Sequence, residues 1–120
     1  IQQNWEWLHS RVSSLSPTKS VQIIAVSKTR SVSEIQSAIN LGIFRFGENK
    51  IQEALSKFPD LPDRSNLELH HIGPVQSGTL KKLFGNFEFT HGVGSLNTLR
   101  ELKKQSEKSR SNLRFFIQLN

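Results

Sequence analysis

The chain has 120 residues, enough for one domain, with a formal net charge of +6 and no cysteine. The missing cysteine excludes disulfide staples and thiolate chemistry, and no run approaches the roughly 18 apolar residues of a membrane-spanning helix. Hydrophobic residues make up 35% of the chain, below the usual share of a self-sufficient domain, so a thin core or a missing complement is expected.

The basic residues are spread out. Lys81-Lys82 and Lys103-Lys104 are the only adjacent pairs, and no block of five or six like charges exists, so the charge reads as a solvated surface before it reads as a nucleic-acid site. The opening IQQNWEWLHS lacks the basic-then-apolar layout of a secretory signal. A soluble, cytoplasmic protein is the expectation, and the initial Ile predicts residues in front of it.

Ile1, Trp5, Leu8, Val12 and Leu15 fall at helical spacing, so the chain opens on an amphipathic helix that stops near Ser16-Pro17. VQIIAVS (21–27) is a continuous apolar run of strand length. Ser31-x-x-Glu34 and Ser33-x-x-Gln36 both fit a capping box for the next helix, which buries Ile35, Ala38 and Ile39 and stops at Gly42. IFRFGE (43–48) is a second strand. Asn49 is placed to cap a helix carrying Ile51, Ala54, Leu55 and Phe58, which Pro59 ends.

After a loop from Asp60 to Asn66, LELHHIG is a third strand, and Leu80, Leu83 and Phe84 suggest a short helix. FEFTHGVG (87–94) is a fourth strand. Ser95 opens a helix with Leu96, Leu99 and Leu102 on one face, and LRFFIQLN (113–120) is a fifth strand. A helix followed by alternating strands and helices predicts an α/β fold with about five parallel strands and right-handed crossovers. Two architectures fit, an open sheet or the N-terminal part of a (β/α)₈ TIM-type barrel. Ending on an uncovered apolar strand favours the barrel piece. G-x-G-x-x-G and P-loop fingerprints are absent, which argues against the Rossmann and NTPase classes.

Lys28 closes the first strand. Side chains alternate along a strand, so Gln22, Ile24, Val26 and Lys28 share one face. If Ile24 and Val26 line a barrel interior, Lys28 points inward at the C-terminal rim, where barrel enzymes keep their chemistry. Partial desolvation there favours the neutral amine that Schiff-base formation with an aldehyde requires. The alternative is a lysine turned to solvent.

FGEN (46–49) occupies the same rim one strand later. Gly47 allows close backbone approach, and Asn49 offers donor and acceptor as well as a helix cap. His70 and His71 are neighbours on a strand and face opposite sides, so they do not share a metal, and no carboxylate is read at ligand spacing; no metal site is expected. One of them is expected at the rim and the other under a helix. His91, near the end of the fourth strand, is placed either to touch a ligand or to satisfy backbone groups. G-x-S-x-G is absent, so no nucleophilic serine is assigned.

Taken together, AVSKT (25–29), FGENKIQEAL (46–55), HHIGPVQS (70–77), HGVGSL (91–96) and FFIQLN (115–120) resemble, in order and spacing, the first half of the pyridoxal phosphate homeostasis proteins of the YggS/PROSC type. The resemblance runs from about Val21 onward, and the first helix fits it. It implies a fold type III barrel similar to the N-terminal domain of alanine racemase. It implies pyridoxal 5′-phosphate (PLP) as cofactor, held as a Schiff base on Lys28 with Asn49 beside it, and His70 and His91 join them as candidate cofactor-binding residues. It implies a protein that buffers and delivers the cofactor without established catalytic activity, with apo PLP enzymes as recipients and a monomeric full-length form.

The chain departs from the family pattern at Leu69 to Gly73, where Trp-His-Phe-Ile-Gly is usual. It departs again at Gln76 to Thr79, where Gln-x-Asn-Lys is usual, and at Gly94, where the family has an aspartate. The family's phosphate-binding segments have no counterpart here, so residues 1–120 are expected to be a partial barrel domain lacking its C-terminal half. The competing readings are a racemase-like PLP enzyme on the same barrel, which needs a second acid/base group, and a basic nucleic-acid-binding module.

Overall fold

A computed structural model describes residues 2–15 and 21–119. Ile1, Ser16-Pro17 and Asn120, assigned above to helix, stop and strand, lie outside the described residues. The chain runs α1 (Gln2–Leu15), β1 (Ala25–Val26), α2 (Val32–Asn40), β2 (Arg45–Glu48), α3 (Ile51–Lys57), β3 (Glu68–His71), β4 (Phe89–Val93), α4 (Leu96–Lys108) and β5 (Arg114–Ile117). Short 3₁₀ turns, Arg64–Asn66 and Leu80–Leu83, flank β3.

All strand pairs are parallel and the spatial order follows the sequence, β1-β2-β3-β4-β5. Right-handed crossovers between successive neighbours put the connecting helices on the same side, which is how the staves of a β/α barrel are laid down. The chain forms five such staves, the N-terminal part of the predicted barrel. Every strand is shorter than the sequence suggests. β1 shrinks most: it pairs with β2 only at Ala25 and Val26, and residues 21–24 keep strand composition without strand pairing.

Register sorts the two faces. Phe46 pairs with Ala25 and Leu69, and Glu48 pairs with His71, which pairs with Thr90; these side chains look toward the helices. There they meet Ile35 of α2, Ile51 and Ala54 of α3, Phe58 at its C-terminal cap, Leu80, Leu83 and Leu102 in one core. Phe46 and Phe58 are fully buried with ring centroids 5.8 Å apart, each burial worth about 1.5–3 kcal/mol. The opposite face carries Val26, Arg45, Gly47, Glu68, His70, Phe89 and Arg114, and the core formed with the described helices lies on the other side. On β5, Phe116 and Ile117 are more than half exposed.

Ser31 and Glu34 form the capping box of α2, and Leu41 and Gly42 (φ +95°) close it. The alternative box at Ser33 does not form; its hydroxyl contacts that of Ser31 instead. Asn49 is not a helix cap. Lys50 occupies that position without a side-chain bond. Along α1 only Trp5 and Val12 are partly buried, while Leu8 and Leu15 stay exposed, so the predicted stripe is only half used. No described helix is long and apolar enough to cross a membrane.

Candidate cofactor site at the strand ends

The C-terminal ends of β1 and β2 lie side by side. Val26 pairs with Gly47, so Lys28 and Asn49, each two residues further on, stand level at the same rim. Lys28 is exposed in a turn and makes no hydrogen bond or ion pair with another described residue. Val26, on the face that Lys28 shares by strand parity, is half exposed.

What surrounds Lys28 in sequence is held tightly. Lys57, almost fully buried on α3, donates to the carbonyl oxygens of Ser27 (2.9 Å) and Arg30 (3.3 Å). The same ammonium pairs with Glu48 Oε2 at 3.0 Å and Glu53 Oε2 at 2.9 Å. Ser27 donates its hydroxyl to Glu48 Oε2 in a short hydrogen bond. The Thr29 amide donates to Glu53 Oε2 at 2.5 Å. That bond and the Lys57 ammonium hold the Glu53 carboxyl below the usual carboxylate range, the lysine contributing most.

Thr29 sits in the left-handed region at φ +63°. A β-branched residue resists that conformation at a cost of about 1–3 kcal/mol. The turn is closed by Arg30 N–H to Ser27 O at 3.0 Å, and Ser27 N–H bonds Gly47 O at 3.0 Å. Glu48 is completely buried, and its second oxygen, Oε1, has no hydrogen-bond partner among the described residues.

Two glycines bring the next strand ends in. A Cβ on Gly73 would lie 2.2 Å from the Asn49 carbonyl oxygen and 2.9 Å from its side-chain Oδ1. A Cβ on Gly92 would lie 2.1 Å from Gly73 O. The ends of β2, β3 and β4 therefore touch backbone to backbone through these glycines. Gly47, singled out above for ligand approach, serves packing instead, since Ile24 and Ile72 fill the space its Cβ would take.

The histidines divide as adjacent strand residues must. His71 lies under the helices, bonded through Nδ1 to Thr90 Oγ1 at 2.9 Å. Burial, with a smaller contribution from the charge of His91, pushes its pKa down to about 4, so it is neutral. His70 points to the opposite face, where it is itself buried (4% exposed) and stacked on Phe89 at 4.5 Å between centroids. Its Nε2–H donates to Glu68 Oε1 at 2.7 Å, and Nδ1 meets His91 Nε2 at 2.9 Å. With the carboxylate accepting only, a neutral His70 takes the second bond from His91 Nε2–H.

His91, more open and stacked on Phe116 at 4.8 Å, has its pKa lowered by burial and then by the charge of His70. Glu68, passed over as a neighbouring carboxylate, belongs to this chain because residues i and i+2 share a strand face; it also pairs with Arg45 at 3.3 Å. Among the described residues no group of three His, Asp or Glu side chains could hold a metal ion.

Sequence reasoning missed Glu48, Glu53 and Lys57. Strand parity carried a signal for Glu48, since a carboxylate in phase with Phe46 must enter the helix side, where it needs a cation. The i,i+4 spacing of Glu53 and Lys57 on α3 was the second signal.

Fold and site together define the class: part of a β/α barrel in which the turn after the first strand carries, at the C-terminal rim, a lysine with no ion-pair partner among the described residues. No protein-family model matches the chain. It is 38% identical over 102 residues to the pyridoxal phosphate homeostasis protein of Buchnera aphidicola subsp. Acyrthosiphon pisum, covering 85% of this chain and 51% of that protein. It is 33% identical over 129 residues to the protein of that name from Vibrio alginolyticus, covering all of this chain and 55% of the relative. In structure it is similar to PipY of Synechococcus elongatus without PLP, with a TM-score of 0.79 and 31% identity over 92% of this chain and 53% of PipY. The PipY structure with PLP bound matches at a TM-score of 0.70 and 34% identity, over 82% and 48%. The chain belongs to the pyridoxal phosphate homeostasis protein family, and it spans about half the length of the curated relatives it matches.

Proposed function

We propose that this chain supplies the lysine-bearing half of a PLP-holding protein of cofactor homeostasis, with the cofactor held as a Schiff base on Lys28. The observation that carries this reading is an amine at the rim of β1 with no carboxylate partner among the described residues. An ion pair would tie the amine up; an amine without one is sterically available to an aldehyde. The donor set fits the cofactor in this respect. Asn49, level with Lys28, offers an amide to the bound ring. His91, backed by His70 and Glu68, offers a polar group on the same face.

When bound, the cofactor supplies an electrophilic aldehyde and an electron-withdrawing ring. Lys28 attaches it, Asn49 orients it, and the glycine contacts keep the strand ends close beneath it. The phosphate dianion needs backbone N–H groups or an arginine, which this reading assigns to the half of the family fold outside this chain. In this reading the cofactor is released to apo enzymes rather than turned over. The relatives' printed name, a homeostasis protein, supports the same reading.

The test is titration of the full-length protein with PLP. An imine absorbance band should form, and Lys28→Ala should abolish it. An undiminished band in that variant overturns the assignment. Racemisation of alanine by the full-length protein, lost with Lys28→Ala, would overturn the non-catalytic reading.

A further inference from the structure

We infer that Lys57, with Glu48 and Glu53, is a positioning device for Lys28, aiming its amine by gripping the residues on either side of it. This rests on Lys28 as the attachment point. The Lys57 ammonium has three N–H donors and meets four acceptors within 3.3 Å. Two are the carbonyls of Ser27 and Arg30, and two are carboxylates that reach on to Ser27 Oγ and the Thr29 amide. Ser27, Thr29 and Arg30 are each tied down, whereas the Lys28 side chain has no partner among the described residues.

A purely structural ion pair has no reason to converge on one exposed turn. Buried pairs are a poor source of stability compared with apolar packing of the same volume, and here one carboxylate oxygen stays unpartnered at complete burial. The network does something packing cannot. It holds Thr29 in the left-handed region, and that single dihedral turns the chain sharply after Lys28. Without the grip, Thr29 relaxes to an ordinary φ and the direction of the Lys28 side chain changes with it.

The experiment uses the full-length protein and three changes. Glu48→Gln/Lys57→Met removes both buried charges together. Glu53→Ala removes a partly exposed partner and keeps the fold if the double variant does not. Thr29→Gly makes the left-handed turn free of strain. Apparent PLP affinity is read from the imine band, and the attachment residue from borohydride trapping and peptide mass. The double variant should bind about tenfold or more weakly, and Glu53→Ala roughly threefold or more weakly, both still trapping at Lys28. Adding Thr29→Gly should recover most of the Glu53→Ala loss, which a general loosening of the fold would not permit. Wild-type affinity in Glu53→Ala, or no recovery by Thr29→Gly, overturns the positioning role. A missing band in the unmodified protein, or trapping at another lysine, overturns the attachment reading instead.

Discussion

Lys57 Nζ donates to the carbonyl oxygen of Ser27 at 2.9 Å, joining α3 to the end of β1 across 30 residues of sequence. The same nitrogen neutralises Glu48, so the contact that shapes the Lys28 turn also keeps a buried carboxylate from being unpaired.

That double duty predicts an asymmetry. Lys57→Met alone leaves Glu48 charged and buried, and should destabilise the protein by about 3–5 kcal/mol. Glu48→Gln/Lys57→Met should recover most of that, because no bare charge remains. Urea unfolding of the full-length variants measures both values, and equal losses in the single and double variants would contradict the account.

His71 sets the acid limit. Its folded pKa is about 4, against about 6.5 unfolded. The unfolded chain therefore takes up a proton first as pH falls. The stabilisation is complete above about pH 6.5 and is lost as pH drops through the folded value. Such a shift is worth about 3 kcal/mol in all. His91, lowered in the same direction, adds to the slope. Stability measured from pH 7 to 5, before the carboxylates titrate, should fall, and His71→Asn should flatten that fall.

Gly92→Ala would put a methyl group 2.1 Å from Gly73 O and 3.0 Å from Pro74 Cα, where backbone must shift. A loss of about 1–3 kcal/mol is expected, with weaker PLP binding because the strand ends spread. Gly78→Ala, with open space around its added methyl, should leave thermal midpoint and PLP affinity unchanged.

Ser31 accepts from the Glu34 amide at 3.2 Å, and Glu34 accepts in return from the Ser31 amide at 3.0 Å. Ser31→Ala should cost about 1 kcal/mol, and Ser33→Ala, outside the box, much less. Paired urea midpoints of the two variants distinguish the assignments.

The sequence by itself determined the order of elements, the parallel sheet and the strand faces, because period and parity are local properties that need no partner. It separated His70 from His71 and set Lys28 level with Asn49 by counting. The cap at Ser31 was legible for the same reason.

Only the tertiary structure decided which of those residues are partnered. Strand lengths depended on pairing, and β1 pairs with β2 over only two residues. Asn49 lost its cap role to Lys50, Gly47 proved to be filled by Ile24 and Ile72, and Glu48, Glu53 and Lys57 met at the Ser27–Arg30 turn from three separate elements. Charges at a distance in sequence find one another only through the fold, because the energy that selects a partner depends on separation and burial in space, and neither is written in the spacing along the chain.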